Sequence, residues 1–240
     1  VQEELFHGSQ PRLMGTTLEF ITIGTPETSA GPLWEKICTE GRNLEKILNR
    51  FDPLSETSRL NRGEKFRPGG ALTEVLEAAL GYKELTAGLF DIRPDGSRLD
   101  FGGFAKGWFL QWISGELDKA DVGNAFVNFG GSSILARGAQ PGGDCWKVGI
   151  VNPWGGAAVS EAELRNEALS TSGNSPGYSG HILNPLTGQS CERRRVCTVT
   201  SRSAVDAEVL STALMIADER QAEAIRKNFP EAKCKIFDLE

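Results

Sequence analysis

The spacing of apolar positions changes period early in the chain. Over Met14 to Ile23, "MGTTLEFITI", apolar and β-branched residues alternate with polar ones, which predicts a strand ending at Gly24 and Pro26. From Pro32 to Phe51 the residues Leu33, Ile37, Leu44, Leu48 and Phe51 recur with the repeat of an amphipathic helix, which Asp52 and Pro53 stop. "FDPLSETSRLNR" loses that repeat and reads as a loop whose Ser, Asp and Asn oxygens face solvent or a ligand. The helical period returns from about Leu72 to Thr86, carried by Val75, Leu76, Ala79 and Leu80.

A further helix is predicted from about Phe104 to Leu117, with Phe104, Trp108 and Trp112 on one face as a core stripe. "NAFVNFGG", "SSILARG" and "WKVGIVNP" follow as strand-like runs separated by glycines, the pattern of an antiparallel meander. "STSGN" reads as a glycine-broken loop, "GHILNPLTG" as a strand entering a turn, and "RVCTVTS" as a strand. Ser203 heads a helix, with Asp206 where a capping-box-like start places it, running through Val209, Leu210, Leu214 and Ile216. A helix over Glu219 to Asn228 and a strand near Lys233 to Phe237 close the chain. Strands and helices mix without βαβ alternation, so the fold class is α+β, one domain over 1–240 with up to two lobes.

Charge narrows the partners. With a net charge of -6 and no long run of Lys or Arg, nucleic acid is not an expected partner. No apolar run approaches the ~20 residues that cross a bilayer, so no transmembrane segment is expected. The start at Val1 fits removal of a preceding signal or anchor segment as well as it fits none. Cys38, Cys145, Cys191, Cys197 and Cys234 lack CxxC spacing and read as scattered thiols; a Cys191–Cys197 pairing across a turn is the minor alternative.

Four polar stretches carry the candidate chemistry. In "LDFGGFAKGW", Leu99 to Trp108, a carboxylate precedes two glycines and then a lysine in the first turn of a helix. Glycines permit close backbone approach, and helix N-terminal N–H groups with Lys106 suit an anion. Asp100 suits a hydroxyl, a ring N–H or a bridging metal, or else caps the helix. Neither a Walker loop nor a GxGxxG fingerprint is present. "ALSTSGN" clusters hydroxyls at Ser170, Thr171 and Ser172, as a phosphate cradle or an ordinary turn. His181, one of two histidines, adjoins a glycine and an Asn-Pro turn and reads as a base or as a structural residue. Glu208, Ser211 and Thr212 share one helical face, as oxygen ligands for a hard cation such as Mg2+ or as a polar patch.

In this order the stretches resemble the ApbE family of FAD:protein FMN transferases, also called thiamine biosynthesis lipoprotein ApbE-like proteins. "MGT" resembles the family's opening strand, "SETSRLN" its Ser-rich loop and "AGLFD" its "GAFD". "LDFGGFAKG" is similar to "LDLGGIAKG", "VNFGGSSILARG" to the "GGDI…G" hairpin, "STSGN" to the "TSG" loop, "GHILNPLTG" to "HIIDPxTG" and "AEVLSTAL" to "ADALSTAL".

The resemblance implies a T-fold-like architecture of antiparallel sheet and packed helices, with FAD as substrate, Mg2+ at its pyrophosphate, and a cell-envelope or periplasmic location, the cytoplasm being the alternative. It implies transfer of FMN from FAD to a Thr or Ser hydroxyl of an acceptor protein, releasing AMP. A flavin carrier or FAD pyrophosphatase, and a non-catalytic scaffold, are the other readings. By position, Asp100, Lys106 and Thr171 contact FAD, while Met14, Leu89, Phe90, Asp91 and Leu183 line its pocket. Gly103, through its carbonyl, with Glu208, Ser211 and Thr212, holds the metal, and His181 is the base. Two departures stand out. Glu208 replaces the family's Asp, one methylene longer, and only Ile92 to Leu99 separate Asp91 from Asp100, which implies a reduced flavin-covering lobe.

Overall fold

The computed structural model describes residues 4–239. Its centre is an antiparallel seven-stranded sheet in the order β1-β2-β3-β4-β7-β8-β9. These strands are β1 (Leu5–Leu13), β2 (Thr16–Ile23), β3 (Asn124–Phe129), β4 (Ser133–Arg137), β7 (Glu167–Gly173), β8 (Arg195–Ser201) and β9 (Lys233–Asp238). A separate ribbon pairs β5 (Trp146–Ile150) with β6 (Ser160–Leu164). The helices are α1 (Glu27–Leu48), α2 (Glu56–Asn61), α3 (Gly70–Leu85), α4 (Ala105–Lys119), α5 (Ala204–Ile216) and α6 (Glu219–Asn228).

The sheet is covered on both faces. Phe20, Val127, Phe129, Leu135 and Val199 point into the core shared with the helices. Ile23, Ile134, Ala136, Leu169 and Val196 pack on the other side with Trp146, Ile150 and Leu164 of the ribbon. A strand buried on both faces has no need of polar alternation, and β4 and β8 accordingly carry nearly continuous buried positions. The α+β class and antiparallel sheet agree with the expectation from sequence.

Several expected elements are redrawn. Met14 and Gly15 leave the strand to form the β1–β2 turn, with φ of 48° and 79° and Leu13 opposite Thr16; this is the double positive φ of a two-residue hairpin turn. β1 itself was not expected, because Gly8 and Pro11 interrupt its pattern; as an edge strand it tolerates a residue without an N–H. The α1 helix starts at Glu27 and ends at Leu48, and the side chains of Asn49 and Asp52 then accept from the N–H groups of Phe51 and Leu54. These turns lift the chain off the core, so Phe51 is 79 % exposed rather than part of the helix's apolar face. Leu80 is likewise exposed, and Leu72, Val75 and Ala79 are the residues of α3 that are fully buried.

"SETSRLN" is helix α2 rather than loop, its start capped by Ser55, whose Oγ accepts from Ser58 N–H. The run "WKVGIVNP" belongs to the ribbon, not to the main sheet. "STSG" is strand, the last part of β7. "GHILNPLTG" is not a strand: a single Leu183–Ser190 bridge precedes a turn in which Asn184 accepts from Leu186 and Gly188. Phe104 is buried, but Trp108 and Trp112 are only half-buried, stacking on Phe104 and Phe109 respectively. All five cysteines are free, including Cys191 and Cys197; burial pushes the Cys197 thiol up to about 12.

Candidate functional site

The sheet register and one buried helix assemble a polar cluster. Ser203 caps α5, its Oγ accepting from Asp206 N–H, and α5 lies between the sheet and α4, so nearly its whole surface is buried. Glu208 projects from it and is 3 % exposed. β4 and β7 pair with Ser133 opposite Ser170, both on the helix face of the sheet. Their hydroxyls donate to Glu208 Oε2 at 2.6 and 3.0 Å, while Lys106 of α4 donates to Oε1. Ser211 and Thr212 donate to the Glu208 backbone carbonyl, which leaves their oxygen lone pairs as acceptors. Ser211 also lies 3.1 Å from Ser170 and 2.9 Å from Ser172, and Thr212 lies 3.3 Å from Ser172. Gly103 abuts this group: a Cβ there would stand 3.3 Å from Thr212 Oγ1.

Glu208, Ser211, Thr212, Gly103 and Lys106 are therefore neighbours, drawn from two helices and the turn that precedes one of them. Thr171 is not among them. Successive side chains of a strand alternate faces, and Thr171 points to the ribbon side, 3.1 Å from Thr198 Oγ1. The hydroxyls that β4 and β7 bring to the cluster are those of Ser133, Ser170 and Ser172. Reading "STSG" as a strand would have put Ser170 and Ser172 on one face; Ser133 depended on long-range pairing and had no local signal.

The donor set tests well against a hard cation. Every group around Glu208 other than Lys106 is an oxygen, and Mg2+ is typically held by one or two carboxylates with waters and substrate phosphates. Among the described residues no group of three His, Cys, Asp or Glu could hold a metal, so a cation here would have one carboxylate and would depend on hydroxyls and ligand oxygens for the rest.

Asp100 borders the same turn. Its Oδ1 accepts from Gly102 N–H, and its Oδ2 lies 3.3 Å from Arg50 Nε; it closes the turn and does not cap α4, whose N-cap is Phe104. Asn61 fixes the preceding residue by two bonds, Nδ2 to Leu99 O at 3.0 Å and Leu99 N–H to Oδ1 at 2.7 Å. A cleft of about 360 Å3 lined by Arg50, Asn61, Arg62 and Arg98 opens beside it.

Leu89 and Phe90 are buried, with the Phe90 ring 5.9 Å from that of Phe104. Asp91 pairs with Lys83 at 2.7 Å. The "NPLT" turn lies against this segment, since a Cβ on Gly88 would meet Leu186 Cδ2 at 3.1 Å. His181 is exposed and stacks on Tyr178, ring centroids 4.0 Å apart; the protein around it pushes its pKa below the ordinary 6.5. Leu183 is half-buried two residues on. Asn174, at the end of β7, ties this loop down by donating to the carbonyls of Cys191 and Arg193. Among the described residues no hydrogen bond joins His181 to the Glu208 cluster. Met14 lies at the β1–β2 turn, where its N–H donates to Glu45 Oε1 at 2.9 Å.

The fold and the cluster define a class: an α+β protein whose antiparallel sheet supports a buried carboxylate ringed by hydroxyls beside a glycine turn and a lysine. A profile of the ApbE family matches residues 14–95 and 93–236, and the chain belongs to that family. It is 29% identical over 168 residues to an FAD:protein FMN transferase of Rhodobacter capsulatus, covering 65% of this chain and 31% of that protein. It is 30% identical over 141 residues to an FAD:protein FMN transferase of Vibrio cholerae serotype O1, covering 53% of this chain and 41% of the relative. Each match thus spans less than half of the curated relative's length. The ApbE protein from Thermotoga maritima superposes with a TM-score of 0.82 at 20% identity, covering 99% of this chain and 97% of that one, a likeness of fold.

Proposed function

We propose that the chain is an FAD:protein FMN transferase, moving FMN from FAD to a Thr or Ser hydroxyl of an acceptor protein with release of AMP. The observation that carries this reading is the cluster of Glu208, Ser211, Thr212 and Gly103 beside Lys106, held by a sheet and two helices in a member of the ApbE family. Mg2+, when bound there, supplies neutralisation of charge on the pyrophosphate.

The chain's own residues have separable tasks. Lys106 and the N–H of Gly103 bind phosphate oxygens, while the Gly102 N–H holds Asp100, which, braced by Arg50, orients the nucleotide through a hydroxyl or a ring N–H. His181 is neutral near pH 7 and takes the proton of the acceptor hydroxyl. The hydroxyl oxygen then forms the bond to the FMN phosphorus, the bond from that phosphorus to the AMP oxygen breaks, and AMP leaves. Phosphoryl transfer of this kind asks for positioning and charge stabilisation more than covalent help, which suits a site of one carboxylate, hydroxyls and a lysine.

Incubation with FAD, Mg2+ and a candidate acceptor, followed by intact mass, tests the reading. An FMN-sized increment on the acceptor is expected, reduced roughly 10²–10⁴-fold in rate by His181→Ala. Free FMN with an unmodified acceptor would count against transfer and for hydrolysis, and failure to bind FAD would leave only a scaffold.

A further inference from the structure

We propose that Lys106 is a built-in occupant of the cation position at Glu208, and that a divalent metal and a pyrophosphate-bearing nucleotide enter together by dividing this ion pair. The nature of the nucleotide rests on the transferase reading. The exchange itself rests on the geometry.

Glu208 has no spare oxygen. Oε2 accepts from Ser133 and Ser170, and Oε1 accepts from Lys106. Its side chain is 4 % exposed, whereas that of Lys106 is 20 % exposed. An ammonium and a dication on one buried oxygen repel each other with little screening away from water, so the arrival of one disfavours the other. Nor does the ammonium leave unreplaced, since an uncompensated buried carboxylate is strongly unfavourable. The metal's arrival and the lysine's departure are therefore one event.

The backbone fixes how that event proceeds. Gly107 follows Lys106, and a Cβ there would stand 2.5 Å from Glu208 Cβ and 2.7 Å from the Ala204 carbonyl. The α4 and α5 helices are thus at closest approach beside the pair, and only the lysine's flexible four-carbon stem is free to swing. Its outward path leads over the first turn of α4, which has no side-chain cap and whose unpaired N–H groups suit an anion. A pyrophosphate there receives the displaced ammonium while the metal takes Glu208. Each ligand then removes part of the cost of admitting the other, which is positive coupling in both directions.

Mn2+ binding followed by electron paramagnetic resonance tests this without reference to transfer. Lys106→Gln, whose amide still donates to Glu208, is expected to bind Mn2+ in the absence of FAD at least tenfold more tightly than the wild type, and Glu208→Gln to lose the site. Amine-reactive labelling of Lys106 in the wild type, read by mass spectrometry, is expected to rise when Mg2+ alone is raised until it fills the site, and to fall when FAD is added; adenosine, which lacks phosphate, should not produce that fall. Equal or weaker Mn2+ binding by Lys106→Gln overturns the proposal, as does Lys106 labelling indifferent to Mg2+, or Mn2+ binding retained by Glu208→Gln. If these results hold while no FMN reaches any acceptor, the exchange stands and the transferase reading alone fails.

Discussion

Glu208 shows how a buried carboxylate is satisfied by neighbours that are far away in sequence. Ser133 and Ser170 reach it across separations of 75 and 38 residues, so the ring of donors forms only when the sheet register is right. Ser133→Ala removes the 2.6 Å bond, and a cost of about 1–3 kcal/mol is expected in urea unfolding, because hydrogen bonds to charged groups exceed neutral ones. The helical triplet Glu208, Ser211 and Thr212 was legible in the sequence because its spacing is local. That Thr171 lies on the opposite face of β7 from Ser170 and Ser172 was not legible, because the faces of a strand depend on recognising the strand. His181 carries a pH signature. Its pKa is lowered, so the neutral base persists to below pH 6.5; transfer should hold its rate down to that pH and fall only beneath it. A rate falling already above pH 6.5, or one that keeps the same acid limb in His181→Gln, would separate the limb from this residue.

The elements place these residues through close contacts that have few substitutes. Gly107→Ala would drive a Cβ into Glu208 and the Ala204 carbonyl, forcing α4 and α5 apart; about 1–3 kcal/mol of stability should be lost, with Mn2+ binding weakened in parallel. Asn61→Ala should release Leu99 from α2, weakening FAD binding more than it lowers the unfolding midpoint, since the two bonds brace the residue before Asp100. Fluorescence quenching of FAD, compared with denaturation curves, would separate those effects. Amphipathic spacing made α1, α3 and α4 readable, and capping chemistry made α5 readable. The strand β1 was hidden by Gly8 and Pro11, which an edge position tolerates, and "GHILNP" resembled a strand but finds only one bridging partner.

At the scale of the molecule, a sheet covered by helices on one face and a ribbon on the other leaves the polar cluster on the helix side, at the joint of α4, α5, β4 and β7. The order of short motifs along the chain implied this assembly before any contact was known, whereas the partition of serines between the faces did not follow from it. The central claim is that the Glu208 cluster holds the metal against FAD's pyrophosphate. A crystal grown with FAD and Mn2+, and read by anomalous diffraction, tests it most directly. The expected result is one Mn2+ peak within ligand distance of Glu208, Thr212 and the Gly103 carbonyl, with pyrophosphate oxygens on the metal and Lys106 turned onto the phosphate. FAD bound with the Mn2+ peak elsewhere, and Lys106 still on Glu208, would contradict it.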